Sequence, residues 1–267
     1  MKVDNSNFFK EVKKRPEQFF IIHYSSQSLF DEGTEGLSPR ITSIVVMHYA
    51  TRQTVSFAVH TVAELLGISK EDVANRYDEI EKEMLARFFD FLRDRLDRYW
   101  VHWNMRNITY GFEHLEHRSC RLGNPTPPIL HMEQRLNLND ILNARYGWDY
   151  APAPKMKNLL LLNGPLPPPF LDGAQEAAAF KAKEFIRMHA STICKVEFFR
   201  HVIILAEKGK LRTASKGWGV RIDRLLESRT AKIAALAAAL IGVLVGLYQA
   251  YLWLSPIMSS RGVLQMF

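Results

Sequence analysis

The segment WVHWNMRN, residues 100–107, gathers the side chains best suited to chemistry: His102, Trp103, Asn104, Arg106 and Asn107. It follows Tyr99, and YWVHWN reads as a short strand. These polar and aromatic groups therefore fall at a strand end, where α/β sheets commonly place ligand sites. Trp103 could stack a base and Arg106 could meet a phosphate. The plainer alternative is that Trp103 belongs to the core and Arg106 pairs with a nearby acid. His114 and His117 stand at helical i, i+3 spacing, but no third histidine or carboxylate accompanies them, so they do not read as a metal site. The two cysteines, Cys120 and Cys194, are far apart. That is neither a disulfide framework nor a zinc spacing, and it reads as two buried free thiols in a reducing compartment.

The elements that must hold these groups follow from periodicity. FFIIHY (19–24) reads as a buried strand, and ITSIVVMHY (41–49) and TVSFAVH (54–60) as an antiparallel hairpin beside it. The stretch between the first two strands is rich in turn formers and acids. From residue 71 to 99 the pattern switches to helical period: Val73, Tyr77, Ile80, Met84, Phe88, Leu92, Leu96 and Tyr99 lie on one apolar stripe. After the 99–104 strand, a helix of about ten residues ends near Gly123. A short helix ends at Gly147, another covers about 155–162 between proline-rich turns, and a long one runs from Ala174 to about Glu207. Segment 61–70 reads as a small helix or a loop. This order predicts an α/β fold, a mixed sheet with helices on its faces.

Charge is uneven. The formal net charge is +7, yet residues 200–232 hold nine Lys or Arg against three acids, and Arg261 supplies the rest, so residues 1–199 are neutral. The high pI is thus not the signature of a basic nucleic-acid-binding globule. It reports a basic collar beside Ile233–Leu254, a stretch of 22 residues without a charge. That run predicts one C-terminal transmembrane helix, with Trp253 among the interfacial aromatics at its far end. Flanking charge then orients residues 1–232 toward the cytoplasm, and no apolar run of signal-peptide length opens the chain, giving a tail-anchored, single-pass layout. Trp218, Ile222, Leu225, Leu226 and Arg229, with Arg221 and Arg224 alongside, predict an amphipathic helix on the lipid surface or an ordinary connector. Ala238, Gly242 and Gly246 recur every four residues, a spacing that suits homo-oligomerisation or pairing with another membrane helix. The expected division is a soluble domain over 1–207, a basic linker over 208–232, the span over 233–254 and a tail over 255–267.

Over residues 19–122 the element order and local strings IIHYSSQSLFDEGTEGL, RITSIVVMHYATRQTVSF and WVHWNMRNITYGFEHLEHR resemble the RNase H-like fold of the DEDD-type 3′–5′ exonucleases. In that family the first strand carries Asp-x-Glu, and a later strand ends in a His-Asn pair followed by an Asp. The family's chemistry implies two Mg²⁺ or Mn²⁺ ions held by carboxylates. Here the Asp-x-Glu position is Ser25-Ser26-Gln27, and the later Asp falls at Asn107 or Ile108. Neutral amides and hydroxyls bind such ions poorly, so the resemblance implies a degenerate exonuclease-like domain that needs no metal and binds a nucleic acid or nucleotide. Glu176 and Glu184 are the nearest acids for the third motif, and Asp31, Glu32 and Glu35 are the candidates to replace the lost ligands.

Three functions compete: a membrane-tethered binding domain, of a kind that would suit a bacterial stress or phage-defence effector; an active metal-dependent nuclease at the membrane; and a non-enzymatic assembly protein.

Overall fold

The computed structural model describes residues 2–28, 38–106, 109–215 and 239–249. The chain divides into two compact units, Met1–Ser215 and Lys216–Phe267.

The first unit is built on a five-stranded mixed sheet in the order β3-β2-β1-β4-β5. Its strands are β1 (Phe19–Ser26), β2 (Ile41–His48), β3 (Thr54–Ala58), β4 (Tyr99–His102) and β5 (Arg135–Asn137). β2 is antiparallel to β1 and β3, while β4 runs parallel to both β1 and β5. The apolar run FFIIHY does not alternate because helices cover both faces of β1. Phe20, Ile22 and Tyr24 enter one core with α2 (Val59–Leu65), α3 (Tyr77–Arg93) and α4 (Phe112–Arg121). Phe19 and Ile21 enter the other, with α1 (Phe8–Lys14), α5 (Leu138–Tyr146), α6 (Lys155–Asn163) and α8 (Phe185–Glu207).

Three local elements differ from those expected. The helix expected from residue 71 begins at Tyr77. The expected long helix is two, α7 (Gly173–Lys181) and α8, broken where Lys183 turns left-handed at φ +58°. A capping box at Asp172 starts α7, and the break lets Phe180 and Phe185 both pack edge-on against Tyr77. β5 is three residues long and was hidden by its size.

The expected transmembrane helix requires correction. Among the described residues, no helix is long and apolar enough to cross a membrane. Within Ile233–Leu254 the described residues are 239–249, all of them helical. An uncharged run reports a need for burial; it does not set the length of a helix. With that helix go the transmembrane and tail-anchored descriptions that rested on it. Leu240, Ile241, Leu244 and Leu247 are exposed on the 239–249 helix. Gly242 and Gly246 lie on it with open space where a Cβ would stand. Trp218, Arg221, Arg224, Ala238 and Trp253 lie outside the described residues.

Candidate functional site

Parallel pairing of β1 with β4 brings their C-terminal ends to one edge of the sheet, beside β5 and α8. There a register shift between Ser25 and Ser26 places one extra residue on β2, since Ser25 faces Ser43 and Ser26 faces Ile41. In a regular strand Thr42 and Ser43 would point to opposite faces. The bulge instead lets both reach Ser25: its Oγ lies 2.5 Å from Thr42 Oγ1 and 2.9 Å from Ser43 Oγ. Ser43 continues to Thr192 on α8 at 3.1 Å, and Thr192 donates to the Met188 carbonyl. Ser25, Thr42, Ser43 and Thr192 are all buried, and the ladder satisfies hydroxyls that would otherwise cost ~1–3 kcal/mol each.

One turn along α8 from Thr192, Lys195 donates to Glu176 Oε1 at 2.6 Å, and Ser191 Oγ reaches the same oxygen at 3.4 Å. Both side chains of this pair are largely buried, at 5% and 17% exposure. The Lys195 charge and the His102 ring both act on His23, a buried β1 residue whose imidazole burial pushes well below the usual range. Lys195 thus supplies one positive charge at this edge, paired with Glu176. Lys195→Met is expected to cost about 2 kcal/mol by stranding the Glu176 carboxylate, with most of the loss recovered in the double variant with Glu176→Gln. Urea unfolding of the single and double variants checks this, and additive losses would contradict it.

At the end of β4, His102 is buried and accepts the Met105 N–H on Nδ1 at 3.2 Å. Burial, with Arg135 and Arg106 nearby, pushes its pKa down to about 3. Trp103 is buried and stacks on Phe199 at 5.6 Å and 16°; its ring is a core wall rather than an open platform. Asn104 turns left-handed at φ +54°, and its Oδ1 accepts from Asn137, Asn139 and Arg106. Arg106 reaches Asp140 at 2.5 Å through the same Nη2 that meets Asn104, and its side chain is half exposed. A guanidinium carries five N–H donors, so this arrangement aims the fork without consuming it. Asn137 caps α5 and ties the cluster to β5, and Tyr150 donates to Asn139 Oδ1.

His114 is a structural strut. Its Nε2 sits 3.0 Å from the Pro39 carbonyl, which only accepts, so Nε2 carries the proton; Nδ1 then accepts from the Tyr24 hydroxyl at 2.9 Å. His117 is exposed.

The edge thus brings together Ser25, Gln27, His102, Asn104, Arg106 and, through α7 and α8, Glu176. Gln27 pairs by its backbone with Arg40. Glu184 is spent on the surface, paired with Arg187 at 2.7 Å. Asp31, Glu32, Glu35 and Asn107 lie outside the described residues. Cys194 is buried and Cys120 exposed, both as free thiols. Sequence reasoning missed Lys195, Thr42, Ser43, Thr192, Asn137, Asn139 and Asp140. A visible signal was STICK (191–195), a polar patch inside an otherwise apolar helix.

The groups present do not fit the paired divalent cations that the exonuclease resemblance implies. Ser25 and Gln27 are neutral, and Glu176 is already neutralised by Lys195. Among the described residues no group of three or more His, Cys, Asp or Glu is placed to hold a metal ion. No protein-family model matches the chain, and neither a curated protein nor a solved structure is found to match it.

Proposed function

We propose that the first unit is a non-hydrolytic, RNase H-like domain that binds a nucleotide or a nucleic-acid end at the C-terminal edge of β1 and β4. The observation that carries this reading is the Lys195–Glu176 pair beside a closed hydroxyl ladder. A built-in cation stands where the resemblance calls for acids that attract metal. Two further features support it. The strands over 19–122 keep the order the resemblance implies, three strands and then β4, with two helices, α2 and α3, where one was expected. The two motif-bearing strands are also direct neighbours running in parallel, as any shared site on them requires. Arg106, half exposed and held at the edge by Asn104 and Asp140, is the group for phosphate. Trp103 is not assigned a stacking role because its ring is buried.

Fluorescence anisotropy of the full chain with labelled single-stranded oligonucleotides and with a labelled nucleotide tests the assignment. Arg106→Ala is expected to weaken binding about tenfold or more, the ~1.5–3 kcal/mol scale of a charge-assisted contact, and to reduce the salt dependence. Affinity unchanged in Arg106→Ala, or no binding by the unsubstituted chain, would overturn it.

A further inference from the structure

A second cluster at the same sheet edge serves neither the hydroxyl ladder nor the amide cluster. His60 opens α2 just after β3, and His189 lies on α8. Ala58, the last residue of β3, pairs with Ser43, which meets Thr192 three residues beyond His189. We propose that His60 and His189 form a two-histidine site for a divalent transition ion of the Zn²⁺, Ni²⁺ or Cu²⁺ class, joining α2 to α8.

Each ring has one nitrogen that is buried without a hydrogen-bond partner: Nδ1 of His60 and Nε2 of His189. Buried polar atoms are rarely left unpaired, and an unpaired one asks for a water or an ion. Here two such atoms sit on rings in contact, and they do not bond each other. The ring centroids are 5.1 Å apart with the planes inclined by 47°, neither stacked nor edge-on. Two imidazoles bound tetrahedrally to one ion through bonds of ~2.0–2.1 Å have ring centres about 5 Å apart. The observed centroid spacing agrees with that figure. Glu64, one turn beyond His60 on α2, adds a negative charge that acts on His60. Imidazole nitrogen selects Cu²⁺, Ni²⁺ and Zn²⁺ over Mg²⁺ or Ca²⁺, which want oxygen. Both residues are half-buried, while the two unpaired nitrogens themselves are buried. The site is independent of the nucleotide reading, since neither residue belongs to that edge's phosphate contact.

Thermal unfolding of the full chain with Zn²⁺ or Ni²⁺ at millimolar concentration is the first test. The midpoint is expected to rise by about several degrees, because an ion held only by the folded state stabilises it by mass action. That rise is expected to vanish in His60→Ala and in His189→Ala and to persist in His131→Ala, an exposed control. One equivalent of Cu²⁺ gives the second readout, an electron-paramagnetic-resonance pattern from two nitrogens that falls to one in His60→Gln. Absence of a midpoint shift, a shift that survives both alanine variants, or a copper pattern unaltered by His60→Gln would each overturn the site; a bound water between the rings gives the first of these.

Discussion

Arg118→Ala is expected to lower the stability of the first unit by about 3–5 kcal/mol, the cost of removing one partner from a buried ion pair. Arg118 on α4 forks onto both oxygens of Glu81 on α3, through Nε at 2.9 Å and Nη2 at 2.7 Å, and also meets Asp78 at 3.0 Å. Glu81 is fully buried and Arg118 nearly so. Burial pushes the Glu81 carboxyl upward, and the Arg118 hydrogen bonds work against that push. The pair also reaches the candidate site. Glu81 accepts the Ile41 N–H at 2.8 Å, and Tyr77, one turn earlier on α3, donates to the Ile41 carbonyl at 3.0 Å. Both backbone groups at the start of β2 are thereby clamped, and Thr42 and Ser43 follow directly. Guanidinium chloride unfolding measures the loss; a change below about 1 kcal/mol would contradict the account. Pairing the substitution with Glu81→Gln, which removes the stranded charge, is expected to recover a large part.

Stability is expected to fall steeply as the solution is acidified from pH 7 to pH 5, by on the order of 4 kcal/mol from two histidines alone. Burial lowers the His102 pKa to about 3 and the His114 pKa to about 4. In the unfolded chain each ring returns to about 6.5. Below that value the unfolded chain takes up protons that the folded protein refuses, so the balance tips toward unfolding as pH falls. The loss grows until the folded values are reached. His23, buried and pushed the same way, adds to it. Glu81 and Glu207 oppose it, because burial raises their carboxyls and acid favours their folded, protonated form. Denaturant midpoints between pH 7 and pH 4.5 check the slope, and His114→Gln, which removes one titrating ring, is expected to flatten it. A midpoint independent of pH over that range would contradict the burial of these rings.

The sheet was legible where patterns were long. Residues 19–24, 41–49 and 54–60 carry enough β-branched and aromatic side chains to announce three strands, and β1, β2 and β3 stand there. β5 was not legible, because three residues carry no period, and neither was the break at Lys183, which is set by how Phe180 and Phe185 pack on Tyr77. The uncharged run over 233–254 predicts a span from its hydropathy, and among the described residues no helix is long and apolar enough to be one. At the site, the neutral character of Ser25 and Gln27 could be read directly. The Lys195–Glu176 pair could not, because 19 residues of chain separate its members and only the folding of α7 against α8 joins them. Trp103 illustrates the opposite limit: an aromatic at a strand end fits both a base platform and a core wall, and only its stacking on Phe199 distinguishes them.

The proposal that this edge binds without cutting rests on neutral Ser25 and Gln27 and on Glu176 being paired with Lys195. Incubating the full chain with 3′-end and 5′-end labelled single strands, with Mg²⁺, with Mn²⁺ and with a chelator, tests it most directly. The same bound fraction is expected in all three conditions, with strands recovered at their original length. Progressive shortening from the 3′ end that needs Mg²⁺ or Mn²⁺ would contradict it.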